Sequence, residues 1–150
     1  MTTEQGLLSR AALTVFRLNG QFLALAEELA RPAGLTAARW QVLGAVLTTP
    51  LPVAGIARAM GITRQSVQRL ADILVAEGLA EYLPNPSHRR AKLLQPTDAG
   101  LAAVRRIDPP HAVAARRLAG EVGQDELAQT VEALAALSAA LDAIAPDEEP

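Results

Sequence analysis

Two short stretches carry side chains whose types and spacing suit one chemistry. The first runs from Thr63 to Arg69, Thr-Arg-Gln-Ser-Val-Gln-Arg, and the second from Asn85 to Lys92, NPSHRRAK. Arginine forks match the two acceptors of guanine and a glutamine amide matches the edge of adenine, while hydroxyls and cations suit phosphate oxygens. Thr63, Arg64, Gln65, Ser66, Gln68 and Arg69 form one candidate set, and His88, Arg89, Arg90 and Lys92 a second, each directed at a polyanion. Enzyme chemistry finds no such support. Both histidines, His88 and His111, lie beside arginine or proline with no carboxylate at ligand spacing, and neither a glycine-rich phosphate loop nor a nucleophile motif occurs. The chain has no cysteine, which removes thiolate metal sites, disulfides and thiol switches. No cofactor and no metal are called for.

The elements that must hold these residues are legible around them. In Ile56 to Leu74 a short helix carrying Ile56, Ala57 and Met60 meets Gly61, which is free to adopt the positive φ of a tight turn. Thr63 then caps a second helix in which Val67, Leu70, Ala71 and Leu74 fall at i, i+3, i+4 and i+7 and form one buried stripe. At about 100° per residue, Gln65, Arg69 and Asp72 point away from that stripe with Gln68 flanking them. Small Ala57, turn Gly61 and apolar Val67 are what a helix-turn-helix needs at its pivot; an ordinary helical hairpin has a similar stripe, and in it Arg69 would merely pair with Asp72 one turn on. After Glu77-Gly78, LAEYLP and KLLQP are β-compatible runs on either side of Asn85 to Arg90. A hairpin directly after a helix-turn-helix is a wing, and its cationic tip suits the strong negative potential of a narrow minor groove.

Further out, apolar residues recur at helical spacing from Glu4 to Leu29, with Thr2 and Gln5 able to form a capping box and Pro32 and Gly34 ending the helix. Thr36 caps a second helix through Trp40, Leu43 and Val46, which stops at Thr49-Pro50-Leu51-Pro52. Beyond Thr97 two helical stretches follow, one interrupted by Pro109-Pro110 and one from about Asp125 to Ile144 whose Leu127, Val131, Leu134, Leu137, Leu141 and Ile144 approach a coiled-coil seam. The closing DEEP is expected to fray. Half the residues are apolar but only four are aromatic, a composition of packed helices within one domain of ordinary size. No run reaches the roughly 18 uninterrupted apolar residues of a membrane span, and no basic leader opens the chain, so a soluble cytoplasmic protein with no membrane partner is expected. The net charge of -2 hides an asymmetry: residues 36–95 hold seven cations against three anions, and the flanks seven against thirteen. A basic centre suits a polyanion, and acidic ends suit something else.

With these elements in place the sequence resembles the MarR family of winged helix-turn-helix regulators over essentially its whole length. The family's wing reads Asp-x-Arg, five residues, then Leu-Thr; here Arg90 and Thr97 keep that spacing and Asp98-Ala99-Gly100 follows, while His88 replaces the aspartate and Pro96 the leucine. The resemblance implies a mainly α fold with a small β-hairpin wing: an N-terminal dimerisation helix (1–35), a winged helix-turn-helix (36–97) and C-terminal dimerisation helices (98–150). It implies a homodimer on pseudo-palindromic double-stranded DNA, acting as a repressor, with Thr36 and Arg39 as candidate backbone contacts. It implies too a small aromatic or phenolic effector between the dimerisation helices and the DNA-binding domain, near Phe16, Arg17, Trp40, Arg105 and His111, although a lone Trp or Phe is more often core. The apolar breadth of residues 7–29 and the seam at 127–144 also exceed what one small central domain covers, which favours a dimer over intrachain core alone. Pro109-Pro110 falls where the family runs one long helix, so a kink is expected, with Asp108 as cap and Pro109 in a first turn. A winged-helix module used only for protein contacts is the alternative.

Overall fold

In the computed structural model, which describes residues 1–146, the first helix begins on the reciprocal cap written in the sequence. The Thr2 N–H donates to Gln5 Oε1 at 2.7 Å, and the Gln5 N–H donates to Thr2 Oγ1 at 3.2 Å. Helix α1 (Thr3–Ala30) ends in a 3-10 turn, Arg31–Ala33, where Pro32 removes a backbone donor and Gly34 takes φ 76°. Thr36 caps α2 (Ala37–Ala45) by accepting the Arg39 N–H at 3.2 Å. Helix α3 (Val53–Met60) stops at Gly61, φ 67°, and Thr63 starts α4 (Arg64–Ala76). The helix-turn-helix expected from Ile56 to Leu74 is therefore present.

Strands β2 (Ala80–Leu83) and β3 (Leu93–Pro96) form the wing, antiparallel in the register Ala80↔Pro96 to Leu83↔Leu93. A further strand, β1 (Leu51–Pro52), joins them through Leu51↔Leu94 and Pro52↔Leu93, giving the order β1-β3-β2. Two residues have no readable period, and a proline is tolerated only at a sheet edge, so nothing in the sequence separated this strand from the turn around it.

Helix α5 (Asp98–Val122) starts one residue after Thr97 and runs through Pro109 and Pro110, and α6 (Gln124–Ile144) follows Gly123 at φ 95°. The expected interruption with a cap at Asp108 does not occur. Each proline deletes one N–H and crowds the preceding turn, but its φ near -65° is a helical value, and the turns on either side carry the helix across the step. The Asp147-Glu148-Glu149-Pro150 tail, expected to fray, lies outside the described residues.

The chain divides into two units, Met1–Pro109 and a second beginning at Pro110. In the first, Val42, Leu43, Ile56, Val67, Leu74, Leu94 and Ile107 are fully or almost fully buried, so α2, α3, α4, β3 and the start of α5 share one core. Gly100 sits where α5 crosses the turn into β2, and a Cβ built there would lie 2.0 Å from the Leu79 carbonyl oxygen. By contrast, α1 buries only Ala30 and leaves Leu8, Leu13, Phe16 and Phe22 exposed. Helix α6 buries no residue at all, and by length and composition alone it is apolar enough to cross a membrane, a property that a search for uninterrupted apolar runs passes over because polar residues are spaced along it.

Candidate nucleic-acid interface

Helix α4 is set by its buried stripe: Val67, Ala71 and Leu74 have no exposed surface, Leu70 is half-buried, and Gln65 and Arg69 face outward. Its first turn is fixed by hydroxyls, for the Ser66 N–H donates to Thr63 Oγ1 at 3.1 Å and the Thr63 hydroxyl donates to Ser66 Oγ at 2.9 Å. No acid stands in that turn, so the positive end of the helix dipole is left uncompensated beside Arg64. Gln65, Ser66 and Arg69 line a shallow groove of about 280 Å³. A larger groove, about 610 Å³, opens between α4, the wing and the first turn of α3, and Arg64, Gln65, Gln68, Arg90 and Lys92 line it together. Members of the two candidate sets, separate in sequence, meet across this groove, while Thr63, Ser66, Arg69, His88 and Arg89 lie outside it.

Among the described residues the one ion pair is Arg39 to Glu77, so Arg64, Arg69, Arg89, Arg90 and Lys92 keep their charge unneutralised by a carboxylate. Arg69 in particular is not paired with Asp72. That carboxylate is occupied by its own helix and the wing: Tyr82 OH donates to Asp72 Oδ1 at 2.5 Å, Gln68 Nε2 donates to the same oxygen at 3.0 Å, and Gln68 Nε2 also reaches Tyr82 Oη at 2.9 Å. The Tyr82 phenol is pushed up to about 12, first by burial and then by its hydrogen bond to Asp72 and by that residue's negative charge, against a smaller downward effect of the Gln68 hydrogen bond. Lys92 Nζ lies 5.9 Å from the Tyr82 ring centroid, at the outer reach of a cation–π contact.

The tip of the wing is braced from within. Asn85 Oδ1 accepts the Ser87 N–H at 3.0 Å, the His88 N–H donates to the Asn85 carbonyl at 3.2 Å, and the Ala91 N–H donates to His88 Nδ1 at 3.2 Å. The imidazole therefore holds the loop backbone through a ring nitrogen, and Arg89 and Arg90 stay exposed. At the wing's base the Thr97 hydroxyl donates to the Gly78 carbonyl at 2.6 Å and accepts the Gly100 N–H at 3.2 Å, tying the start of α5 to the end of α4.

The two candidate backbone contacts are engaged inside the fold. Arg39 Nη1 donates to both Glu77 carboxylate oxygens, at 2.7 and 2.6 Å, and Arg39 Nε to Thr36 Oγ1 at 3.3 Å. Of the candidate effector residues, Trp40 packs against the core, Phe16 is 70% exposed on α1, Arg17 and Arg105 are exposed, and His111 belongs to the second unit. Neither groove at the wing includes any of the five. Tyr82 and Glu77 carry no local sign in the sequence of the partners they take, Asp72 and Arg39. The i,i+4 spacing of Gln68 and Asp72 was a readable signal, but Tyr82 reaches them only through the strand register.

Residues 33–91 match the MarR family profile. An uncharacterised protein of Mycobacterium tuberculosis is 39% identical over 139 residues, 93% of this chain and 97% of the relative. The crystal structure of the M. tuberculosis transcriptional regulator MosR in complex with DNA superposes with a TM-score of 0.75 at 22% identity, covering 89% of this chain and 96% of that one. The structure of BpsR of Bordetella bronchiseptica, whose DNA binding is regulated by 6-hydroxynicotinic acid, gives 0.74 at 22% identity, covering 86% and 98%. At these identities the two structures share the fold.

Proposed function

Because the chain belongs to the MarR family of transcription regulators, we propose that it binds double-stranded DNA sequence-specifically as a homodimer and represses transcription from a pseudo-palindromic site. The observation that carries this reading is the groove in which Arg64, Arg90 and Lys92 converge with Gln65 and Gln68, the cations unpaired and the helix N-terminus free of acids. Helix α4 enters the major groove with Gln65 and Arg69 reading base edges; Thr63 and Ser66 fix the helix start near phosphate, and Arg89 and Arg90 extend the contact to the neighbouring minor groove. That MosR was crystallised with DNA supports the same use of this fold.

The exposed apolar faces of α1 and of α6, each taken by itself, are the candidates for the dimer surface. Leu8, Leu13, Phe16 and Phe22 on one, and Val131, Leu134, Leu141 and Ile144 on the other, are all exposed in the single chain, an extent of apolar surface that marks an interaction site. Symmetric pairing of one surface also generates the two-fold arrangement a pseudo-palindrome requires. A small aromatic acid acting as effector is supported by the regulation of BpsR, with Phe16, Arg17, Trp40 and Arg105 the candidate residues for it in the first unit and His111 in the second.

Titration of the full chain into random and selected duplexes across a salt series, with sedimentation at micromolar protein, tests the reading. A dimer, an enriched two-fold motif and a steep fall of affinity with salt are expected. A monomer without salt-dependent DNA binding overturns it in favour of a module for protein contacts.

A further inference from the structure

Asp72 is misplaced for a surface that meets DNA. It is the one carboxylate among the residues lining the larger groove, where Arg64, Arg90 and Lys92 supply the opposite charge. Yet it neutralises none of them; its Oδ1 accepts from Tyr82 OH at 2.5 Å and from Gln68 Nε2 at 3.0 Å. An ionised carboxylate has no proton to give, so the phenol must spend its own on Asp72, which leaves Tyr82 Oη as an acceptor for Gln68 Nε2 at 2.9 Å. The raised phenol pKa, about 12, keeps that proton in place. Both partners demand a donor. Turning the Gln68 amide round would set Oε1 against the carboxylate oxygen, so the amide has one polarity. Its N–H groups are spent, and its Oε1 has no partner among the described residues.

We infer that Asp72 and Tyr82 make Gln68 a one-way acceptor, which selects a base bearing an exocyclic amino group, adenine or cytosine, at one position of each half-site and rejects the keto oxygens of guanine and thymine. An unconstrained glutamine offers both a donor and an acceptor and pairs with adenine alone through N6 and N7. With its donors engaged, Gln68 meets only the amino group, which cytosine presents as N4 and adenine as N6. Asp72 and Tyr82 are positioning residues in this scheme, and Gln68 alone touches the base. The inference rests on the DNA-binding reading above.

Selection of randomised duplexes by the full-length protein, followed by competition with single-base variants, tests it. The wild type should favour adenine or cytosine over guanine or thymine at that position by roughly three- to tenfold, the range one neutral hydrogen bond supplies. Gln68→Met should level that position and leave the others as they are. Asp72→Ala should also lose the amino-over-keto preference, because the freed phenol then donates to Oε1 and the amide can turn. It raises affinity for all duplexes by removing a negative charge, a change read separately from preference. Tyr82→Phe should keep the amino-over-keto preference, since Asp72 still fixes the amide, but the N–H it frees should favour adenine, through N7, over cytosine; an unchanged balance between the two bases denies Tyr82 its part. A motif in which no position responds to Gln68→Met, or in which Asp72→Ala keeps full discrimination there, overturns this inference and leaves DNA binding standing. Failure of the wild type to select any motif overturns both.

Discussion

Replacing Gly100 by alanine sets two physical effects against each other, and the structure decides the sign. Glycine within a helix is disfavoured by roughly 0.5–1 kcal/mol relative to alanine, so helix propensity alone makes Gly100→Ala stabilising. The new Cβ, however, would lie 2.0 Å from the Leu79 carbonyl oxygen and 3.0 Å from its carbonyl carbon, both backbone atoms in the turn between α4 and β2. Relief needs a separation of more than an ångström, and two hydrogen bonds span the same joint: the Thr97 N–H to Leu79 O at 3.1 Å and the Thr97 hydroxyl to Gly78 O at 2.6 Å. Overpacking costs about 1–3 kcal/mol, and each weakened hydrogen bond about 1 kcal/mol. Net destabilisation of about 2–4 kcal/mol is expected from urea unfolding at fixed protein concentration, a condition that matters if the chain is dimeric. Gly44→Ala in α2, where an added Cβ meets nothing within 4 Å, is the matched control and should be neutral or slightly stabilising. If Gly100→Ala unfolds at the same urea concentration as the wild type or higher, the close approach of α5 to this turn is not a feature of the folded protein.

Four further outcomes follow from the site. Arg90→Ala should weaken binding to all duplexes alike and reduce the slope of log K against log salt by about 0.9 for each phosphate no longer neutralised; equal affinity and slope would remove the wing from the interface. Arg69→Ala and Gln65→Ala should each relax base preference at symmetry-related positions, by about 1–3 kcal/mol if each makes a bidentate contact, and selection that returns the wild-type motif at full stringency refutes their role. Arg39→Ala should leave the salt slope intact and cost about 1 kcal/mol or less of stability in thermal unfolding, because a half-exposed Glu77 rather than phosphate is its partner; a reduced slope would restore it as a backbone contact. Tyr82 is the only tyrosine, so ultraviolet absorbance reads its ionisation directly. The folded protein should titrate near 12, and the stabilisation tied to the neutral phenol is complete below about pH 10 and lost as pH rises through 12. Titration of the folded wild type at the ordinary value near 10 would deny both the burial of the phenol and its link to Asp72.

Local signals read well here because they coincide with the physics that sets the fold. Gly61 and Thr63 mark a turn and a cap that depend on their own neighbours, and the Val67, Leu70, Ala71, Leu74 stripe has the period of the helix it belongs to. What escaped depends on tertiary pairing. The two-residue strand Leu51–Pro52 exists only because Leu93 and Leu94 come alongside it, and Tyr82 meets Asp72 only once the wing folds back on α4. Arg39 illustrates the same limit: at the start of α2 its charge suits phosphate, and only the three-dimensional path of α4 brings Glu77 to it. Pro109-Pro110 failed for another reason, since a local cost of some kcal/mol does not break a helix that is long on both sides of it.

The order of the small sheet has a consequence for how this chain can change over time. Because β3 is its central strand, held by β1 on one side and β2 on the other, the register of the wing is fixed at its base by pairs from Leu51↔Leu94 to Ala80↔Pro96. The segment between Leu83 and Leu93 contributes none of those pairs. Residues can be added to it, removed from it or recharged without sliding a strand by one place, the error that would turn every buried side chain of the wing outward. Reach and charge at the tip are thus separable from the folding of everything beneath it, and a lineage of such chains can retune one without renegotiating the other.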